Sequence, residues 1–360
     1  MPHSAAALPR LTVGLTGLNA GDSPGPGVAV ARALLESQHY AVRLVGLSYD
    51  ALEPGLYIGG LLAAAYLLPY PTAGADALLE RLLYVHEREG LDVVIPCFDA
   101  ELPNFIRIEA ALAARGIRAV LPTLARLTAR DKPQLHEFGA AHGLPVPPAR
   151  LLSTTAELPA AGAALGWPLV VKGKFYEATI AHTLAQAEAA FYALSARWGL
   201  PVVAQQFVAG HEINIAGLAD GTGKLLSAVP MRKLTLTDKG KAWAGITLAD
   251  EALAEVARRF AAVARWRGPF ELEIIRTAAD ELLILEINPR FPAWIYLSAA
   301  AGANQPAALL RLALGEAVAP LPEPVVGKMF VRYAWDAITD VSAFQRLAAT
   351  GVSEPQKIAD

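Results

Sequence analysis

Residues 282–290, LLILEINPR, follow residues 270–275, FELEII, across the short polar turn 277–281. Both stretches are apolar β-formers interrupted at alternate positions by a carboxylate or an amide, and side chains two apart on a strand share a face. Glu271 and Glu273 therefore point one way, and Glu286 and Asn288 share one face of the following strand. If the two strands pair through their turn, three carboxylates and an amide converge. Carboxylates crowded beside apolar neighbours repel each other and cost desolvation unless a cation compensates them. Mg²⁺ suits the oxygen ligands of Glu273, Glu286 and Asn288, and it commonly shares its shell with nucleotide phosphates, so these residues are expected to bridge metal to ATP. Arg290, two residues beyond Asn288, is placed to fork onto a phosphate oxygen. The plain alternative is an edge hairpin with Glu271 and Glu273 facing water and Glu286 in an ordinary ion pair.

Working towards the N-terminus, residues 231–241 (MRKLTLTDKGK) hold a basic run, Arg232, Lys233, Lys239 and Lys241, between a strand and the helix expected at Asp250. It is either a solvated loop or a phosphate contact. Residues 205–212 (QQFVAGHE) read as strand, turn and acidic residue. Such an edge presents a backbone amide and carbonyl near Phe207 and Val208 to an adenine, with Gln205 on the amino group and Glu212 on the ribose hydroxyls; an interdomain hinge would read the same. Lys172 closes the apolar run 169–174 (LVVKGK), where it projects towards an α- or β-phosphate or else snorkels to solvent. Lys132 opens the helix expected over 131–142.

In this order the residues resemble the ATP-grasp superfamily, LEINPR being the most specific piece and the ordered set more telling than any single motif. The resemblance implies that Lys132 and Lys172 contact phosphates, that Gln205 and Val208 hold adenine with Phe207 beside them, and that Glu212 holds ribose. It further implies Mg²⁺, with Mn²⁺ as substitute, on Glu273, Glu286 and Asn288, and Arg290 on the reacting phosphoryl group. Lys233 is the first choice for a basic contact to the γ-phosphate or an acyl phosphate. The implied activity activates a carboxylate as an acyl phosphate and couples it to an amine, an amino acid or peptide, releasing ADP and phosphate. Alternatives are a catalytically impaired nucleotide-binding relative and a bicarbonate-activating enzyme of the carboxylase or carbamoyl type. Two departures stand out. The family's flexible Gly/Ser-rich loop after the strand lysine is replaced by residues 173–179 (GKFYEAT), and Gln205 stands where an acid is more usual.

Strands alternating with helices over residues 11–122 predict a doubly wound, Rossmann-like α/β domain. The fold class expected is thus α/β and α+β: a pre-ATP-grasp domain over 1–122, a two-lobed ATP-grasp domain over 123–335 with a lid at about 150–210, and a tail over 336–360 that frays. The loop 14–27 (GLTGLNAGDSPGPG) does not fit the G-x-G-x-x-G spacing, and Pro24 and Pro26 remove N–H donors, which argues against NAD. Gly27 opens a helix, either as an anion site for a substrate carboxylate or as a plain turn. Asp99 and Glu101 follow a parallel strand at its ligand-binding end, facing a substrate amine or, for Asp99, capping the next helix.

Composition narrows the class. The chain has 360 residues, 54% hydrophobic and 18% charged with net charge −3, and a single cysteine, Cys97. That argues against phosphate-neutralising nucleic-acid binding, an internal disulfide or a multi-cysteine zinc site. Mean hydropathy is +0.35, but the most apolar stretch, 57–68, is bounded by prolines and too short to span a bilayer. It is a candidate homodimer interface. No export signal is read, so a cytoplasmic location is expected. Phe175, Tyr176, Phe291 and Trp294 are either a water shield or core aromatics.

Overall fold

The structure, a computed structural model, describes residues 8–174 and 177–353. Its first unit is a parallel sheet of β1 (Arg10–Leu15), β2 (Ala41–Ser48), β3 (Ala64–Leu67) and β4 (Val93–Ile95), in the order β3-β2-β1-β4. Helices Pro26–Leu35, Ala75–Glu89 and Leu102–Ala113 flank it. The strand order reverses at β1, so the crevice beyond the carboxyl ends of β1 and β4 is where such sheets take ligands. Gly27 lets the first helix press onto β1: a Cβ there would lie 2.1 Å from the Thr16 carbonyl oxygen. Its N–H donates to the Gly17 carbonyl at 2.8 Å, so the anion site expected at this helix start is already spent. In the apolar stretch 57–68, Leu61, Ala64, Ala65, Tyr66 and Leu68 are buried core residues, while Ile58, Gly59 and Gly60 are exposed. Among the described residues no helix is long and apolar enough to cross a membrane.

The second unit is an antiparallel sheet of β5 (Ala149–Leu152), β6 (Leu169–Lys172), β7 (Ala178–Ala181) and β8 (Val202–Gln206), ordered β5-β8-β6-β7. Helices Leu158–Leu165 and Leu184–Trp198 pack on it through Leu158, Phe191 and Leu194 against Leu152, Leu169 and Val171.

The third sheet carries β9 (His211–Asp220), β10 (Leu225–Leu236), β11 (Ala242–Thr247), β12 (Arg267–Arg276), β13 (Leu282–Asn288) and β14 (Met329–Val331), all antiparallel, in the order β13-β12-β9-β10-β11-β14. One face is sealed by helix Glu251–Ala264, whose Phe260 meets Trp266 and Phe270. Asp250 caps that helix by accepting from the Leu253 N–H at 3.1 Å. β10 runs through Leu236, so Arg232 and Lys233 are strand residues and not part of the expected loop.

The tail also departs from expectation. Helix Val341–Thr350 leads into β15 (Val352–Ser353), which pairs with β3. Arg81 Nη2 donates to the Gly351 carbonyl at 2.6 Å. Pairing and this buried-side hydrogen bond replace the solvation that fraying would give the backbone.

Candidate active site

β12 is an interior strand, between β13 and β9. Glu271 and Glu273 pair with Asn288 and Glu286 on one side. On the other side Glu271, Glu273 and Ile275 pair with Ala216, Asn214 and Glu212. One sheet face therefore carries Glu212, Asn214, Glu271, Glu273, Glu286 and Asn288, which overturns the edge-hairpin alternative. Glu271 is buried and fully engaged: Oε1 accepts from Asn214 Nδ2 at 2.6 Å and from Trp294 Nε1 at 2.8 Å, and Oε2 from Asn288 Nδ2 at 3.1 Å. Burial, then the neighbouring Glu273, pushes its carboxyl up from the usual range. It acts as a brace. Asn288 Nδ2 also donates to Glu273 Oε1 at 3.1 Å, leaving the amide oxygen of Asn288 to face elsewhere.

Five cations surround these acids. Lys132 Nζ lies 3.6 Å from Glu286 Oε2. Lys172, at the end of β6, is 9% exposed; burial pulls its ammonium pKa down, opposed first by Glu286. Lys233 Nζ donates to Glu212 Oε2 at 2.6 Å. Burial works against its charge, but Glu273 and then Glu212 outweigh that and hold its pKa above the ordinary lysine value. Glu273 answers in kind: burial opposes its ionisation, yet Lys233, Lys241 and Arg290 keep it below the usual carboxylate range. Arg290 donates from Nε to Asp99 Oδ1 at 2.9 Å and from Nη1 to the Phe291 carbonyl at 3.2 Å, with Glu271 Oε2 3.6 Å from Nη1. Burial disfavours its charge, but Asp99 and Glu271 raise its pKa above the free value.

Asp99 does not cap the following helix. Its other oxygen lies 3.2 Å from Arg130 Nη1, so it bridges two guanidiniums. The loop that aims it is held from beneath by Glu101, which is fully buried. Glu101 Oε1 accepts from the Cys97 and Phe98 N–H groups at 2.7 and 2.9 Å and from the Thr16 hydroxyl at 2.5 Å; the Tyr49 hydroxyl donates to the other oxygen. Burial pushes the Glu101 carboxyl up to about 7. The Cys97 thiol is buried and likewise pushed up by burial, as expected of an inert packing residue. Asp99→Asn leaves two cations with no anion between them. We expect kcat to fall about tenfold or more, as for a lost charge-assisted hydrogen bond of about 1.5–3 kcal/mol. ADP release beside thermal melts checks this, with Asp99→Glu restoring part of the rate.

Gln205 is buried at the end of β8, and Phe207 and Val208 are half-buried on the connection into β9. A Cβ on Gly210 would sit 2.2 Å from the Arg276 carbonyl oxygen, which fixes how closely that connection hugs the large sheet. Glu212 stands exposed at its far end. After Lys172, the Gly173 N–H donates to the Glu177 carbonyl at 3.1 Å and closes the β6–β7 hairpin; Phe175 and Tyr176 lie outside the described residues. Phe291 and Trp294 are buried and read as core. The residues expected to hold a metal on this face, Glu273, Glu286 and Asn288, offer oxygens: two carboxylates and one amide. Among the described residues no group of three or more His, Cys, Asp or Glu is placed to hold a metal alone.

Residues 200–335 match a family model described as "ATP-grasp in the biosynthetic pathway with Ter operon". Curated relatives include a D-alanine–D-alanine ligase of Albidiferax ferrireducens, 30% identical over 227 residues, covering 62% of this chain and 65% of that one. A D-alanine–D-alanine ligase of Bordetella pertussis is 32% identical over 168 residues, 44% of this chain and 52% of that one. The chain spans 41% to 65% of the length of the curated relatives it matches. Among solved structures, the biotin carboxylase–β-γ-ATP complex of Campylobacter jejuni superposes with TM-score 0.67 at 14% identity, over 85% of this chain and 71% of that one. N5-carboxyaminoimidazole ribonucleotide synthetase of Thermus thermophilus gives 0.63 at 20%, over 88% and 81%. Over residues 200–335 the chain is similar to ATP-grasp proteins, and its fold is that of these solved structures.

Sequence reasoning missed Asp99 as a bridge, Arg130 and Asn214. Asn214 was within reach, since it lies two residues after Glu212 on one strand and so shares its face. Nothing local pairs Asp99 with Arg290, which is 191 residues away. The ATP-grasp reading also gave Glu212 and Lys233 separate tasks, whereas they form one ion pair.

Proposed function

We propose that this chain is an ATP-dependent ligase that activates a carboxylate as an acyl phosphate and joins it to an amine of an amino acid or peptide. The observation that carries the reading is the convergence of Glu273, Glu286 and Asn288 with Lys132, Lys172 and Arg290 at the meeting of the two ATP-grasp lobes. Residues 1–122 form the pre-ATP-grasp domain, 123–335 the ATP-grasp domain with β5–β8 as its lid, and 336–360 the tail.

Glu273, Glu286 and the amide oxygen of Asn288 would hold Mg²⁺. When bound, Mg²⁺ supplies neutralisation of the phosphate charge. Gln205, Phe207 and Val208 take adenine and Glu212 the ribose, with Lys233 holding Glu212 in place. Lys132 and Lys172 steady the phosphates. Lys172 suits this because its ammonium is already desolvated, so an anion beside it gains nearly the full low-dielectric attraction. Arg290, fixed by Asp99, keeps its charge through the reaction and lowers the cost of bringing a carboxylate up to the γ-phosphoryl group in line.

The test is ADP release with D- and L-amino acids offered singly and in pairs, at saturating Mg²⁺ and ATP. Acceptor-dependent ADP and a ligated product by mass spectrometry are expected. ATP binding without turnover on any pair would sink the ligase reading in favour of a nucleotide-binding relative.

A further inference from the structure

The residues assigned above leave one half-buried cation unused, Arg332. Arg332 follows β14 and donates its backbone N–H to the Trp243 carbonyl at 2.9 Å. The register places it on the acid-bearing face. Phe330 pairs with Gly245, Gly245 with Lys233 and Met231 with Asn214, and directly paired residues share a face. Arg332 lies two beyond Phe330, on the same side. Its Cζ stands 5.5 Å from the Phe330 ring centroid. Nη1 is buried with no hydrogen-bond partner among the described residues. Burial lowers its pKa, and Glu271 is the one carboxylate that opposes the shift.

A guanidinium with one buried, unmet N–H is costly unless a ligand takes it. Lys132 and Lys172 belong to the phosphate side, at the Glu286 edge. Arg332 faces Glu271 from the opposite margin of the sheet, beyond β11, over the Phe330 ring; the Phe330 and Met231 side chains meet above Gly245, one strand in. An anion there meets apolar walls suited to a carbon skeleton and not to a triphosphate.

We propose that Arg332 receives the free carboxylate of the amine-bearing substrate, the carboxylate that the reaction leaves intact. The acceptor is thus an α-amino acid, or a peptide with a free C-terminus. Arg332 orients its amine towards the activated acyl group and selects against amides and esters. This inference rests on the ligase reading and names its acceptor class.

The experiment compares each productive acceptor amino acid with its carboxamide in wild-type, Arg332→Gln and Arg332→Lys enzymes. The readouts are ADP release, the KM for ATP and the melting temperature. In wild type we expect the acid to exceed the amide by about 100-fold or more in kcat/KM, since a site built for a polar group rejects the analogue lacking it. Arg332→Gln should bring the two within a few-fold through the acceptor KM, with the KM for ATP and the melting temperature unchanged; Arg332→Lys should fall between. Wild-type turnover indifferent to the carboxylate, or an equal loss on acid and amide in Arg332→Gln, overturns the inference and leaves the ligase reading standing. No ADP release with any acceptor overturns both.

Discussion

Glu286→Gln is expected to lower ADP release by about 10³-fold, roughly 4 kcal/mol of transition-state stabilisation, while the protein stays folded. The substitution keeps the volume and removes one charge. That charge does two things in the structure. With Glu273 and Asn288 it forms the oxygen face on which phosphate-bound Mg²⁺ would rest. It also lies 3.6 Å from Lys132 Nζ and is the first carboxylate that supports the charge of Lys172. Removing it therefore weakens the metal seat and lowers the Lys172 pKa further in the same step. Kinetics at rising Mg²⁺ and Mn²⁺ separate the two effects: a rate recovered by metal alone places the loss in the seat. A variant within tenfold of wild type at ordinary Mg²⁺ would remove Glu286 from the machinery.

Lys172→Met is expected to cost about 10²-fold in kcat/KM for ATP and to leave the melting temperature unchanged or raise it. The opposite signs follow from burial. In the free protein the ammonium is held in a poorly solvated place at the end of β6, and an apolar side chain of similar length removes that penalty. With ATP present the same poor solvation makes the charge effective, so its loss falls on nucleotide binding. Thermal melts with and without ATP, set beside initial rates, test both halves. A variant that melts lower and retains full activity would make Lys172 a structural residue.

The doubly wound first unit was legible because its strands are buried on both faces and read as unbroken apolar runs separated by helices, as in VGLTGL and DVVIP. The acid face was legible because strand alternation is local: E-x-E and E-x-N each fix a shared side before any partner is known. Less local features were misjudged. The run 57–68 looks like a sticky surface, since composition does not reveal that β15 arrives from residue 352 to cover the edge of β3. The basic run at 232–241 looks like a loop because charged residues on a strand flanked by acids have the same local pattern as solvated ones.

The sequence by itself determined the residue types and their faces: two carboxylates and an amide on paired strands, a lysine ending a strand, and the order in which these residues follow one another along the chain. Tertiary structure decided which of them act together. It set β9 beside β12 so that Asn214 and Trp294 brace Glu271. It brought Asp99 across from the first unit to hold Arg290 and Arg130, and left Arg332 Nη1 buried with no hydrogen-bond partner among the described residues. The reason is physical. Side-chain direction follows from backbone periodicity over two or three residues, whereas charge pairing and desolvation depend on contacts between segments that only the assembled core brings together.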